Sequence, residues 1–220
     1  MICSIKNLPF FCSWSGGKDC CLAFYYAVQA GGKPWCLFTM LSEEGEHSKS
    51  HGLPLRILER QAASLGVPLV TGAASWEDYE GVFIGQLREF KAEGVEVGVF
   101  GDIDLEEHRK WQENACAAAG MSAYLPLWGK SRQRVVAELV DLGFQAVIVA
   151  VNEEKMDRRY LGRVLDKPLM SELAAAGIDV AGENGEFHTI ITAGPLFRFP
   201  LDLKIKGLKP VEQHCFLELD

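Results

Sequence analysis

Apolar runs and helical-period stretches take turns along most of this chain. Pro9-Phe10-Phe11-Cys12 is an unbroken apolar run, and Leu22-Ala23-Phe24-Tyr25-Tyr26-Ala27 follows it with a helical pattern. Pro34 to Leu41 is a second apolar run. After Pro54, the residues Leu55, Leu58, Ala62 and Leu65 recur at helical spacing, and Gly66 ends that helix. Val67 to Val70 reads as a short strand. Ser75 and Asp78 form a capping-box pattern before a helix whose inner face is Tyr79, Phe83, Leu87 and Phe90. Val95 to Phe100 predicts another strand, and Asp104 with Glu107 predicts the cap of a helix running to Gly120. Ser131 predicts the cap of a helix carrying Val135, Val136, Leu139 and Val140, closed by Gly143, and Ala146 to Val151 is one more buried strand. This alternation predicts an α/β fold, a parallel Rossmann-like sheet with helices on both faces. Ligands bind such sheets beyond the carboxyl ends of the strands. The turn after the first strand, Leu41-Ser42 and Gly101-Asp102 all belong to that edge.

The pattern changes after Asn152. Leu201, Leu203 and Ile205 alternate with charged residues, as Cys215, Leu217 and Leu219 do with Phe216, Glu218 and Asp220. With Gly207 to Pro210 read as the turn between them, these predict an antiparallel hairpin with one wet face. The division expected is a larger domain over 1–127 and a smaller α+β domain over 128–220.

The hydrophobic fraction of 48% supports a sizeable core, and the formal net charge of −8 opposes broad binding to nucleic acid. The seven cysteines are odd in number and lack C-x-x-C spacing, which argues against a disulfide framework or a zinc site. The start has no signal-peptide pattern, and no apolar stretch approaches the ~20 residues of a membrane span. A reducing cytoplasm is the expected compartment.

Ser15-Gly16-Gly17-Lys18-Asp19-Cys20 sits between the first strand and the first helix. A tight diglycine turn ahead of a helix N-terminus offers backbone N–H groups and a positive dipole end to an anion. The spacing matches neither G-x-x-x-x-G-K-[ST] nor G-x-G-x-x-G. The expected nucleotide contacts are Ser13, Trp14, Ser15, Gly16, Gly17, Lys18, Asp19 and Cys20, with Met40 ending the second strand and Gly101 and Asp102 ending the fourth. Asp19 or Asp102 is the protein group placed to meet Mg²⁺.

Gly182-Glu183-Asn184-Gly185-Glu186-Phe187-His188-Thr189 is the second cluster. It packs carboxylates, an amide, an imidazole and a hydroxyl around two glycines. In extended backbone Glu186 and His188 would point to one side, where they can bind or deprotonate an amine. Arg109 and Glu113 lie one helical turn apart, spacing that also suits an ordinary surface ion pair. Asp157, Leu161-Gly162-Arg163 and Asp166 read as a charged helical stretch whose Arg158, Arg159 and Arg163 suit either a phosphate or solvent. His47, His51 and the run Ser42 to Lys49 read as a polar loop, either a lid or simply solvated.

Together these blocks resemble the diphthine–ammonia ligase family of ATP pyrophosphatases. The resemblance rests on Ser15 to Asp19, Gly101-Asp102-Ile103 with Arg109, Glu113 and Cys116, Pro126-Leu127-Trp128, Asp157 with Leu161-Gly162-Arg163, Gly182 to Thr189, and Gly194-Pro195-Leu196-Phe197. The family pattern has Ser or Thr where this chain has Cys20. The resemblance implies an adenine-nucleotide α-hydrolase-like fold whose 1–127 unit is the nucleotide-binding domain and whose 128–220 unit is the substrate-binding domain, and it implies ATP with Mg²⁺. It implies a reaction that adenylates the carboxylate of diphthine on elongation factor 2 and forms an amide with ammonia. Lys18, Asp19, Glu186 and His188 would then be catalytic. Arg109, Glu113, Glu183, Asn184, Gly185, Glu186, His188 and Thr189 would bind the substrate. Two alternatives stay open. One is a related enzyme with another acceptor, a small carboxylic acid or a tRNA base; the other is an ATP-binding protein without chemistry. A homodimer is also left open.

Overall fold

A computed structural model describes residues 4–49 and 51–220. Strand β1 (Pro9–Ser13) is buried on both faces, which its continuous apolar sequence requires. Phe10 and Cys12 pack with Leu22, Ala23, Phe24 and Ala27 of helix α1 (Lys18–Gln29). Phe11, pointing the other way, packs with Phe38, Phe83, Phe90 and Phe100. Strands β2 (Lys33–Leu41), β3 (Leu69–Ala73), β4 (Val97–Val99) and β5 (Ser122–Tyr124) join β1 in one parallel sheet of order β3-β2-β1-β4-β5. Helices α2 (Leu55–Leu65) and α5 (Arg132–Asp141) share the core on the α1 side. Helices α3 (Tyr79–Ala92) and α4 (Glu106–Ala118) cover the other side. The chain runs outward from β1 in one direction and returns at β4 to run in the other. The switch point therefore lies between the ends of β1 and β4, where the diglycine turn and Gly101-Asp102 sit.

The rest of the chain builds a second, antiparallel sheet of order β7-β6-β9-β8. It comprises β6 (Gln145–Asn152), β7 (Phe187–Ala193), β8 (Ile205–Val211) and β9 (His214–Leu219), with helix α6 (Lys167–Ala175) between β6 and β7. Ala146, Ile148, Phe187, Ile190 and Leu217 lie in the same apolar cluster as α1, so one core runs through both sheets. Among the described residues no helix is long and apolar enough to cross a membrane. The six cysteines within the described residues are buried free thiols, and Cys3 lies outside that range.

Three local expectations need correction. The hairpin turn is at Glu212-Gln213, with Glu212 at φ 51°, and Gly207 to Pro210 is inside β8. β8 is an edge strand, where a proline costs no ladder bond. The helix after β4 starts at Glu106 with no side-chain cap, because Asp104 pairs with Arg132 instead. The stretch from Asp157 to Asp166 holds only a short 3-10 turn, Arg158–Tyr160, and Asp166 caps α6. Arg158 pairs with Glu153, Arg163 with Glu172, and Arg159 lies over Tyr160.

Candidate active site

The turn between β1 and α1 owes its shape to residues far away in sequence. Gly16 is left-handed at φ +83°, and a Cβ there would meet Gln61 Oε1 at 2.8 Å. The Gly16 carbonyl accepts the Ile191 N–H of β7 at 3.0 Å and Gln61 Nε2 at 2.9 Å. Gln61 is fully buried; it also donates to the Ile191 carbonyl and accepts the Trp14 indole N–H. α1 begins at Lys18 with Gly17 as its N-cap, and no side chain of its own segment caps its first turn. The Lys18 N–H donates to Thr189 Oγ1 at 3.1 Å. Cys20 turns inward: its thiol donates to the Gly17 carbonyl and accepts from Ser15 Oγ. Gly101 packs against the first turn of α1, where a Cβ would lie 2.7 Å from backbone atoms of Asp19 and Cys20. Backbone cannot swing aside as a side chain can, so Gly101→Ala is expected to destabilise the protein by about 1–3 kcal/mol. Urea denaturation measures that change, and a midpoint equal to wild type would show that the contact is slack.

Lys18 is the electrostatic centre. It is 6% exposed; its Nζ lies 2.7 Å from Asp19 Oδ2, 3.5 Å from Glu183 Oε1 and 5.9 Å from the Phe187 ring centroid. Burial opposes its charge, but Asp19 and Glu183 outweigh burial and hold its pKa above the usual lysine value. Burial raises Asp19 against the pull of Lys18. Glu183 is pushed up to about 7, chiefly by burial, with Asp19 and Asp102 adding to the rise and Lys18 opposing it.

Two imidazoles close the other side. His51, on the loop between β2 and α2, stacks on His188 with centroids 4.4 Å apart and rings tilted 26°. It lies so close over Gly17 that a Cβ there would be 2.7 Å from its ring. Burial, then His188 and Lys18, hold His51 well below the usual histidine range. Burial and Lys18 lower His188 to about 4, so it is neutral near pH 7.

Three recesses share residues and form one cleft along the carboxyl edge. The smallest, about 70 Å³, lies among Ser13, Trp14, Met40, Lys49, Trp76 and Tyr79. The next, about 260 Å³, runs past Ser15, Asp19, Cys20, Gly101 and Asp102. The third, about 250 Å³, is bounded by Lys18, Asp19, Glu183, His51 and His188. Asp19 Oδ1 is buried with no hydrogen-bond partner, whereas the Asp102 oxygens are taken by His108 and Gln112.

Other expected site residues have different surroundings. β7 starts at Phe187, so Glu186 is in the turn, not in an extended pair with His188. Its carboxylate accepts the backbone N–H and side-chain amide of Asn184, both at 3.1 Å. Arg109 pairs with Glu106 and stacks over Trp128, and neither it nor Glu113 lines the cleft. Gly185 lines the third recess beside Glu183. The sequence does not point to Gln61, His108, Trp76 or Tyr79 at the site, and it gives Lys49 only as the end of a polar run read as a lid or as solvated. Gln61 alone left a trace in sequence, as a polar residue on the apolar stripe of Leu58, Ala62 and Leu65.

Two family models match this chain one after the other. The model of the diphthamide synthase N-terminal domain matches residues 10–123, and that of the diphthamide synthase C-terminal domain matches 131–218. A Bos taurus protein named diphthine–ammonia ligase is 26% identical over 214 residues, covering 84% of this chain and 78% of that protein. A Homo sapiens protein of the same name is 24% identical over 213 residues, with the same coverage. A solved structure titled as a predicted subunit of tRNA methyltransferase from Methanocaldococcus jannaschii superposes with a TM-score of 0.48 at 14% identity. It covers 86% of this chain and 98% of that one, a likeness too loose to bear on function. With both domain models matched in order across a fold whose diglycine turn and late acidic loop meet, this chain belongs to the diphthamide synthase family.

Proposed function

We propose that this protein is an ATP-dependent amide ligase that adenylates a carboxylate and passes the acyl group to ammonia, with protein-bound diphthine as acceptor. The observation that carries this reading is the double engagement of Lys18. Its backbone N–H meets Thr189 and its ammonium meets Glu183, so the phosphate turn and the late loop form two walls of one cleft. A protein that merely stored ATP would not need the second wall. In this reading residues 1–127 hold the nucleotide and 128–220 hold the acceptor.

The adenine ring enters the recess between Met40 and Trp76, and the phosphates lie on the turn from Ser15 to Asp19. The N–H groups of α1 and the Lys18 ammonium stabilise the charge that grows on pyrophosphate as the acceptor carboxylate attacks the α-phosphorus. Hydroxide is a poor leaving group from an acid and AMP a good one, so the adenylate makes amide formation feasible. His188 is neutral and takes the proton that ammonia loses on attack. A bound phosphate offsets Lys18 and so raises the basicity of His188 at the moment it is needed. Glu186 acts at one remove, fixing Asn184. The unpartnered Asp19 Oδ1 fits Mg²⁺, which favours one or two carboxylates together with phosphate oxygens. When bound, the ion would neutralise phosphate charge.

The test is product release. Pyrophosphate and AMP are expected in equal amounts, and only when ATP, ammonia and the carboxylate acceptor are all present. Release that depends on tRNA, or ATP binding with no turnover under any condition, would replace this reading with another.

A further inference from the structure

The wall that carries Glu183 is a loop, and a residue on neither that loop nor the diglycine turn bonds to it. Arg132 is the first residue of α5, a helix anchored by the buried Val135, Val136 and Leu139. Its guanidinium faces two loops at once. Nε and Nη2 donate to the two oxygens of Asp104 at 2.7 and 3.0 Å. Nη1 donates to Asp179 Oδ2 at 2.7 Å and to Asn184 Oδ1 at 2.8 Å. Asp104 stands two residues after Asp102. Asp179 in turn accepts the backbone N–H groups of Ala181 and Glu183. One planar group thus ties the Asp102 side of the cleft to the Glu183 side.

We propose that Arg132 is a positioning residue that holds the Glu183 loop at its working distance from Lys18 and Asp102. An exposed ion pair would contribute little and fix nothing. A forked donor that makes four hydrogen bonds to three residues on two loops fixes plane and position together. A lysine has the charge but not the fork, so it can serve one loop and must release the other. For catalysis the inference rests on the ligase reading, because only there does the spacing of the two walls decide a rate.

The variants are Arg132→Lys and Asp104→Asn, the second keeping the guanidinium and its bonds to Asp179 and Asn184. Hydrogen exchange is followed at the amides of Ala181 and Glu183, and AMP formation is measured as kcat and KM for ATP. In Arg132→Lys both amides are expected to exchange about tenfold faster, with kcat down by about tenfold and the KM for ATP within twofold. Asp104→Asn moves the same quantities in the same direction by less, and stands in if the lysine variant fails to fold. Unchanged exchange at both amides, or a kcat within twofold of wild type in a folded variant, overturns the proposal. If the wild type forms no AMP at all, the ligase reading falls, and the exchange rates alone decide whether Arg132 holds the loop.

Discussion

Replacing Lys18 by methionine is expected to lower the rate of AMP formation about a thousandfold in single-turnover measurements. The ammonium is the positive side chain packed into the junction of phosphate turn and acidic loop, and methionine keeps its volume and its packing against Phe187 while removing the charge. A charge held in a partly desolvated cleft acts more strongly on a developing anion than one in bulk water does. Arginine should not restore the rate. The slot leaves Lys18 only 6% exposed, and a larger planar guanidinium does not reproduce the compact ammonium held 2.7 Å from Asp19. A methionine variant within tenfold of the wild-type rate would remove Lys18 from the chemistry.

Glu183→Gln should make the protein more stable in mild base while impairing it as an enzyme. Glu183 in the folded protein keeps its proton up to about pH 7, against an ordinary value of 4.5. Between those values the folded state binds more protons than the unfolded one. Stability contributed by this group is therefore present at low pH and lost as pH rises through that window, by roughly 3 kcal/mol in total. Glutamine carries no such penalty. The two proteins should unfold at similar urea concentrations at pH 5, and the variant should lead increasingly towards pH 8. His188, lowered to about 4, contributes the opposite slope between pH 4 and 6.5, but it does so in both proteins and cancels from the difference. A variant that loses stability relative to wild type as pH rises would mean that the Lys18 attraction, and not burial, governs this carboxylate.

What could be read in the sequence was whatever is contiguous. The strand, diglycine turn and helix of residues 9–29 are all there, because apolar run, turn chemistry and helical period follow one another directly. Ser131 caps α5 and Gly66 ends α2 as their local chemistry requires, whereas Ser75 bonds Asp78 within the turn before α3 and does not cap the helix itself. Contacts made across the fold left little trace. Lys18 and Thr189 are 171 residues apart, and nothing in either neighbourhood announces the other. Glu183 and Glu186 look alike in sequence. The turn aims one at Lys18 and folds the other back onto Asn184, a distinction that only three-dimensional curvature can make. Asp104 has the local look of a helix cap, but a guanidinium from α5 takes its carboxylate. Pro210 looked like turn punctuation because strand order, invisible in one chain, decides whether a proline is tolerated.

The carbonyl of Gly16 has its donors on α2 and on β7, beyond the short segment that bears the signature. The phosphate turn is thus not a portable cassette. A fragment ending before β7 would carry the whole fingerprint and still lack a rigid cradle. One half of this protein can be exchanged for another only if the glutamine on the second helix and the strand it bridges to are replaced as matched parts, which couples the two sheets in any redesign.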